Sequence, residues 1–153
     1  MIKIVKGNIL DAREDLICHQ VNCKGVMGAG LAKQIRNKYP VVFEKYKNLC
    51  NSHVDKLLGS TQYVDVSDGK VVVNMFAQDG YGRGKRQTDY DALRLCLESI
   101  HYTVTSNNTV LNGKSVALPY QIGCGLAGGD WDIVYKMIKE ILGDIELTIY
   151  KLV

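Results

Sequence analysis

Short apolar stretches alternate with longer amphipathic segments along most of this sequence. The short stretches have the length of strands, and the longer segments repeat apolar residues at helical spacing. Asp68-Gly69, between two apolar stretches, predicts the turn of a hairpin. Strands are therefore predicted at residues 1–5, 16–21, 60–66, 71–76, 116–119 and 147–152, and helices at residues 31–39, 42–51, 90–104 and 131–142.

The alternation of strands with helices is typical of an α/β fold. Because one hairpin interrupts the alternation, the pattern predicts a mixed, mostly parallel central sheet of about six strands, with helices on both faces. The length of 153 residues fits a single domain that spans residues 1–153. In such a sheet, ligands are expected beyond the carboxyl ends of the central strands.

Two glycine-rich segments each follow a predicted strand and precede a predicted helix. They are N-C-K-G-V-M-G-A-G at residues 22–30 and G-C-G-L-A-G-G at residues 123–129. Loops of this kind present backbone N–H groups beside a helix N-terminus, which favours an anion. Two of them at one end of the sheet favour an extended ligand with a diphosphate in its middle. A plain tight turn is the alternative for either loop taken alone.

The second loop also matches the glycine pattern of dinucleotide-binding sites, from Gly123 to Gly128. That fingerprint belongs to the first strand–helix turn of a doubly wound sheet, whereas here only one predicted strand follows it. The sequence contains no P-loop pattern. The glycine pattern alone is therefore a weak indication of function.

Composition restricts the class of protein. Hydrophobic residues make up 46% and charged residues 23% of the chain, as in soluble globular proteins, and a net charge of +3 is too small to indicate direct nucleic-acid binding. The five cysteines show no C-x-x-C spacing, so reduced thiols in the cytoplasm are expected rather than disulfides or a metal site. No signal peptide or membrane span is predicted, no cofactor is implied, and a monomer is favoured.

Four motifs spread over the whole length resemble those of macrodomains, the fold that binds ADP-ribose. They are K-G-N-I-L, V-N-C-K-G-V-M-G-A-G-L-A, I-G-C-G-L-A-G-G-D-W and L-T-I-Y-K-L. The sequence is most similar to the branch with yeast-type ADP-ribose 1″-phosphate phosphatases, terminal ADP-ribose protein glycohydrolases and antitoxin macrodomains. The resemblance implies ADP-ribose binding and hydrolysis of ADP-ribose 1″-phosphate to ADP-ribose and phosphate. Removal of ADP-ribose from a protein or nucleic acid, and non-catalytic ADP-ribose reading, are the alternatives.

The resemblance also implies three groups of ligand contacts. Adenine would be contacted by Asn8, Ile9 and Tyr150. The distal ribose would be held by Asn22, Gly28, Ala29 and Gly30. The diphosphate would lie against the backbone of Ile122, Gly123, Cys124, Gly125, Leu126 and Ala127.

His19 and Asp130 are the expected catalytic residues. Imidazole titrates near neutral pH and can transfer protons. The resemblance pairs His19 with an acid, for which Asp130 is the best match. Each residue also has a simpler explanation, as a core histidine and as a helix N-cap respectively. A thiol nucleophile at Cys124 is not favoured, because no base is evident beside it.

The sequence departs from the glycohydrolases of this branch in two places. Those enzymes carry a lysine shortly after the strand equivalent to residues 71–76 and an acid directly after G-C-G-L. Here these positions hold Ala77-Gln78-Asp79 and Ala127, which disfavours lysine-based chemistry. The loop at residues 78–88 has a length typical of functional loops. Arg83, Lys85 and Arg86 are expected on its solvated face, and Tyr81 over the ligand.

Overall fold

The computed structural model describes residues 1–52, 55–82 and 84–152. Within these residues it contains six strands: β1 (Ile2–Lys6), β2 (Leu16–Val21), β3 (Thr61–Asp65), β4 (Val71–Phe76), β5 (Val116–Pro119) and β6 (Leu147–Lys151). The helices are α1 (Gly30–Lys38), α2 (Pro40–Asn51), α3 (Tyr90–Thr105) and α4 (Trp131–Leu142), and a 3₁₀ turn covers Ile9–Asp11. Arg83, which was expected on a solvated loop face, lies outside the described residues.

The strands form one sheet in the order β1-β6-β5-β2-β4-β3. All neighbouring strands are parallel except β3 and β4, which form the predicted hairpin. Gly69 lies in its turn with φ of 81°, a conformation that glycine adopts without steric cost. The prediction of a mixed, mostly parallel sheet is therefore confirmed.

Helices cover both faces of the sheet, as predicted. Residues of α3 and α4 pack with Cys18, Val73 and other inward-facing strand residues in the larger core cluster. Residues of α1 and α2 pack with Val72 and Phe76 on the opposite face. All six residues of β4 are buried, because this strand is covered on both sides. Within the described residues, no helix is both long and apolar enough to cross a membrane.

Two helices meet at Tyr39 and Pro40. Helix α1 ends before Tyr39, as the proline predicts, and α2 begins at Pro40 instead of at the predicted residue 42. Proline is well suited to a first helical position, because the N–H that it lacks would have no partner there. The two helices therefore follow one another without a connecting loop.

The central strands β2 and β5 part soon after they begin to pair. They pair only at Leu16 with Val116 and at Ile17 with Ala117. On its other side, β2 pairs with β4 along all six residues. The chain leaves β2 towards the hairpin and leaves β5 towards β6 on the opposite side. Such a reversal of strand order is the place where open α/β sheets bind ligands.

Candidate functional site

A cleft of about 660 Å³ opens where β2 and β5 part. Its wall contains both glycine-rich loops, the carboxyl end of β2 and part of the loop that follows β4. The lining comprises residues 19–22, 26–32, 78, 81–82, 87, 119–123 and 125–127. The expectation that both glycine loops lie at the same end of the sheet is met.

The N-terminus of α1 points its backbone donors at this cleft without a side-chain cap. Ala29 occupies the N-cap position with extended backbone angles, φ −150° and ψ 162°, and it has no side-chain oxygen to accept a hydrogen bond. Within the described chain, the N–H groups of Gly30, Leu31 and Ala32 donate to no protein group. Free donors at a helix N-terminus, together with the helix dipole, form a site for an anion.

The second glycine-rich loop presents a further set of free donors. The N–H groups of Gly123, Gly125, Leu126 and Ala127 have no acceptor in the part of the chain that the structure describes. The loop is nevertheless held firmly, since Gly129 N–H donates to Gly123 O at 2.8 Å. Several free N–H groups on one glycine-rich loop can bind an oxyanion.

Gly123 meets two requirements that exclude other residues. Its φ is 74°, and an added Cβ would lie 2.7 Å from Gln20 Oε1 and 3.0 Å from Thr88 Oγ1. The loop backbone therefore approaches the neighbouring side chains more closely than a residue with a side chain would allow.

His19 is buried on β2 at the wall of the cleft, with only 1% of its surface exposed. Its Nε2 donates to Asn74 Oδ1 on β4 at 2.5 Å. Burial lowers the pKa of His19 to about 4, and the hydrogen bond to Asn74 offsets only part of this effect. The ring is therefore neutral at neutral pH, and Nδ1, which has no protein partner within the described residues, is a hydrogen-bond acceptor.

Asp130 caps α4 and does not line the cleft. Its carboxylate accepts from Asp132 N–H at 2.9 Å, and its own N–H donates to the Tyr90 hydroxyl at 3.0 Å. The structure thus does not bring Asp130 to the cleft wall together with His19. The uncapped helix terminus is that of α1, whereas the terminus of α4 already holds a carboxylate.

The Macro domain family model matches residues 18–138, which contain both glycine loops and His19. The chain belongs to the Macro domain family.

Two proteins of known sequence and one solved structure are similar to this macrodomain over almost its whole length. The ADP-ribose 1″-phosphate phosphatase of Saccharomyces cerevisiae is 27% identical over 175 residues, covering 99% of this chain and 98% of the yeast protein. The DNA ADP-ribosyl glycohydrolase of Mycobacterium tuberculosis is 29% identical over 161 residues, covering 98% of this chain and 42% of that protein. The crystal structure of a Bacteroides thetaiotaomicron protein superposes with a TM-score of 0.83 at 31% identity, covering 99% of each chain.

Asn22 of this macrodomain builds the first loop. Its Oδ1 accepts from Lys24 N–H at 2.9 Å and from the Tyr46 hydroxyl at 2.7 Å, and its Nδ2 donates to Val26 O at 2.8 Å. Asn22 also lines the cleft, so one Nδ2 hydrogen is available to a ligand. The same loop places Gly28, Ala29 and Gly30 along the cleft.

Cys124 contributes its backbone to the second loop, while its side chain turns away from the cleft lining. Its Sγ donates to Ile122 O at 3.3 Å, and the side chain packs against the larger core cluster. Burial raises the pKa of the thiol to about 11, so it is protonated at neutral pH. This environment supports the packing explanation for Cys124 over a thiolate nucleophile.

The residues expected at the adenine end lie beside the cleft and do not form its described wall. Asn8 Oδ1 accepts from Leu10 N–H at 2.9 Å, which starts the 3₁₀ turn. The Tyr150 hydroxyl donates to Glu14 at 2.6 Å. Ile9 and Tyr150 pack in a small cluster with Leu31, which does line the cleft. A ligand that extends past Leu31 would therefore reach these residues.

An amide network at the floor of the cleft was not foreseen from the sequence. Gln20 Nε2 donates to Gln78 Oε1 at 2.9 Å and to Thr88 Oγ1 at 2.8 Å, and the Thr88 hydroxyl donates to Gly123 O at 2.7 Å. Gln20 Oε1 is buried without a protein partner among the described residues. His19 Nδ1 is likewise buried, so two residues of the cleft wall each hold an acceptor without a protein donor among the described residues.

The loop after β4 closes over the second glycine loop. Gln87 N–H donates to Ala127 O at 2.7 Å, and Gln78 and Thr88 form an isolated bridge at the base of the loop. Tyr81 lines the cleft and is 58% exposed. That Tyr81 covers a bound ligand stays a prediction. The glycine-rich, polar composition of residues 78–88 was the available signal for these contacts.

Proposed function

We propose that this macrodomain binds ADP-ribose in the cleft between β2 and β5 and hydrolyses ADP-ribose 1″-phosphate to ADP-ribose and phosphate. The observation that carries this proposal is the presence of free backbone donors on two separate loops of one cleft. Free backbone donors at a helix N-terminus and in a glycine-rich loop suit oxygen atoms of phosphate groups. The full-length similarity to the yeast phosphatase supports the choice of reaction.

Two unpaired acceptors, which belong to residues of the cleft wall, suit the sugar part of the same ligand. Gln20 Oε1 and His19 Nδ1 are buried and lack protein donors within the described residues, so each favours a hydroxyl or water. A ligand that combines phosphates with ribose hydroxyls satisfies both kinds of group. ADP-ribose has this composition, whereas an apolar ligand would leave all of them without partners.

His19 would act as the general base in this reaction. Because the ring is neutral, Nδ1 can take a proton from the attacking water as the water oxygen bonds to phosphorus. The bond between phosphorus and the ribose 1″-oxygen breaks, and that oxygen takes a proton from solvent. The free N–H groups would hold the charged phosphate oxygens during the step.

Release of ADP-ribose from a modified macromolecule is the second candidate, supported by the similarity to the M. tuberculosis glycohydrolase. The cleft lining argues for the phosphatase reaction over this one. After β4, Gln78 lines the cleft, and the described lining residues include no lysine. A glycohydrolase reaction here would require water as the nucleophile.

Phosphate release from ADP-ribose 1″-phosphate tests the proposal directly. We expect turnover by the wild type and a loss of about a hundredfold or more in His19→Ala, with little change in ADP-ribose affinity by calorimetry. Inorganic phosphate and ADP-ribose should appear in equal amounts.

Two other results would redirect the assignment. ADP-ribose binding without phosphate release would leave the protein as a reader or as a hydrolase of macromolecular ADP-ribosyl links, which ADP-ribosylated DNA and protein would then distinguish. No ADP-ribose binding at all would contradict the assignment of the cleft.

A further inference from the structure

A chain of amide side chains runs from His19 across the sheet to the backbone of α2. Asn74 on β4 lies opposite His19 on β2, and Gln62 on β3 lies opposite Asn74. Asn74 Nδ2 donates to Gln62 Oε1 at 3.0 Å, and Gln62 Nε2 donates to Lys45 O at 3.1 Å. His19 and Asn74 are buried, whereas Gln62 is half-buried, so the chain of hydrogen bonds runs from the cleft wall towards the surface.

The direction of every hydrogen bond in this chain follows from its last member. The carbonyl oxygen of Lys45 can only accept, so Gln62 must turn its Nε2 towards it. Gln62 Oε1 then faces Asn74 and requires a donor, which is Nδ2. Asn74 Oδ1 is left facing His19 Nε2, and an oxygen there requires that Nε2 carry the hydrogen.

A neutral imidazole carries one hydrogen, so this chain leaves Nδ1 as the bare nitrogen. We propose that Asn74, oriented by Gln62, is a positioning residue that holds His19 in the Nε2–H form with Nδ1 free to accept from the ligand or water. With the opposite tautomer, Nδ1 would donate and could not take a proton. This inference rests on the proposed function for its catalytic consequence, while the tautomer itself is independent of it.

Nitrogen-15 NMR of the histidine side chains tests the tautomer without any substrate. In a neutral histidine, the nitrogen-15 chemical shift of the ring nitrogen that carries the hydrogen differs strongly from that of the bare nitrogen. The spectrum of His19→Gln identifies the signals of His19, because they are missing from it. We expect His19 in the wild type to carry its hydrogen on Nε2 at pH 7. A hydrogen on Nδ1 would overturn the inference whether or not the protein has phosphatase activity.

Two substitutions of Asn74 form a matched pair for kinetics. Asn74→Leu removes the acceptor, so both tautomers should appear and kcat should fall about tenfold or more, with KM nearly unchanged. Asn74→Asp keeps an acceptor for Nε2–H, so it should retain one tautomer and most of kcat at high pH. Its negative charge should raise the pKa of His19 and so shift the acidic limb of the pH–rate profile to higher pH.

Gln62→Lys probes the same chain from outside the cleft, in case Asn74→Leu does not fold. A lysine presents only donors, so Asn74 should turn Oδ1 towards it and Nδ2 towards His19, which places the hydrogen on Nδ1. We expect kcat to fall while ADP-ribose affinity is kept. Gln62→Glu still accepts from Asn74 Nδ2 but loses the hydrogen bond to Lys45 O, so it should keep His19 in the Nε2–H form, in contrast to Gln62→Lys.

An unchanged His19 tautomer and kcat in both Asn74→Leu and Gln62→Lys would show that the amide chain does not position His19. If the wild type releases no phosphate, the proposed function fails. The NMR spectra then decide the tautomer on their own, and only its catalytic consequence falls with the function.

Discussion

The environment of His19 differs strongly from that of an exposed histidine. His19 is buried with a single hydrogen bond to an amide oxygen, and burial lowers its pKa to about 4 from the ordinary 6.5. Between pH 6.5 and 4, the unfolded chain binds a proton there and the folded chain does not. Stability therefore rises with pH through this window and is lost as the pH falls through it.

His19→Gln should reduce this acid sensitivity, because glutamine does not titrate and can still donate to Asn74. Between pH 7 and pH 4.5, the free energy of unfolding of the wild type should fall by about 2 kcal/mol more than that of the variant. Urea denaturation at the two pH values measures the difference. An equal loss in both proteins would show that His19 does not titrate with a lowered pKa.

Asp130 has a structural role that separates it from His19. Asp130→Ala should lower the free energy of unfolding by about 1 kcal/mol, since it removes the cap from α4, while Asp130→Asn should cost less because asparagine also caps helices. Phosphate release per folded molecule should change little in both variants. A loss of kcat common to Ala and Asn would instead assign Asp130 to the chemistry.

At the scale of elements, the two helices that follow glycine loops differ at their N-termini. Helix α4 has a carboxylate at its N-cap, whereas α1 has Ala29 at its N-cap and its first N–H groups are free within the described residues. Since a capped helix is the more stable one, the missing cap on α1 is a cost in stability. The cost is consistent with a terminus that is kept open for a ligand.

Ala29→Asp should therefore increase stability and reduce binding. A carboxylate at the N-cap would accept from Leu31 and Ala32 N–H, adding about 1 kcal/mol to the free energy of unfolding. The same charge should weaken ADP-ribose binding about tenfold or more by calorimetry. Ala29→Asn, a cap without charge, should weaken it less. Tighter or unchanged binding in Ala29→Asp would place the ligand phosphates elsewhere.

The positions of the elements could be predicted from apolar spacing, with errors of one or two residues such as the start of α2 at Pro40. The site could be predicted where it depends on the backbone, because glycine loops after strands have a recognisable composition. The hydrogen-bond partners of individual side chains could not be predicted from the sequence. That Asn74 lies opposite His19 depends on the register of two parallel strands far apart in the chain, and no local pattern encodes it.

At the scale of the whole molecule, the cleft joins segments that lie far apart in the chain, between residues 19 and 127. A ligand bound there would contact β2, α1, the loop after β4 and the loop after β5, so unfolding any of them should release it. Ligand binding and global stability are therefore linked.

ADP-ribose at about 100 times its Kd should raise the free energy of unfolding by about 2.7 kcal/mol, which corresponds to a rise of roughly 5–10 °C in Tm. Thermal denaturation with increasing ADP-ribose measures this rise, and adenosine, which lacks the diphosphate, serves as the control ligand. An equal shift in Tm with adenosine at the same concentration would mean that the phosphates contribute nothing to binding.

The early separation of β2 from β5 affects how the protein can change over evolution. Pairing of β2 with β4 along its full length keeps the floor of the cleft rigid, whatever the loops above it do. Loops that start beyond the last paired residues can lengthen or change composition without disturbing the register of the sheet. A new substrate can therefore be accommodated by altering the rims of the cleft, while its depth and the position of His19 are inherited unchanged.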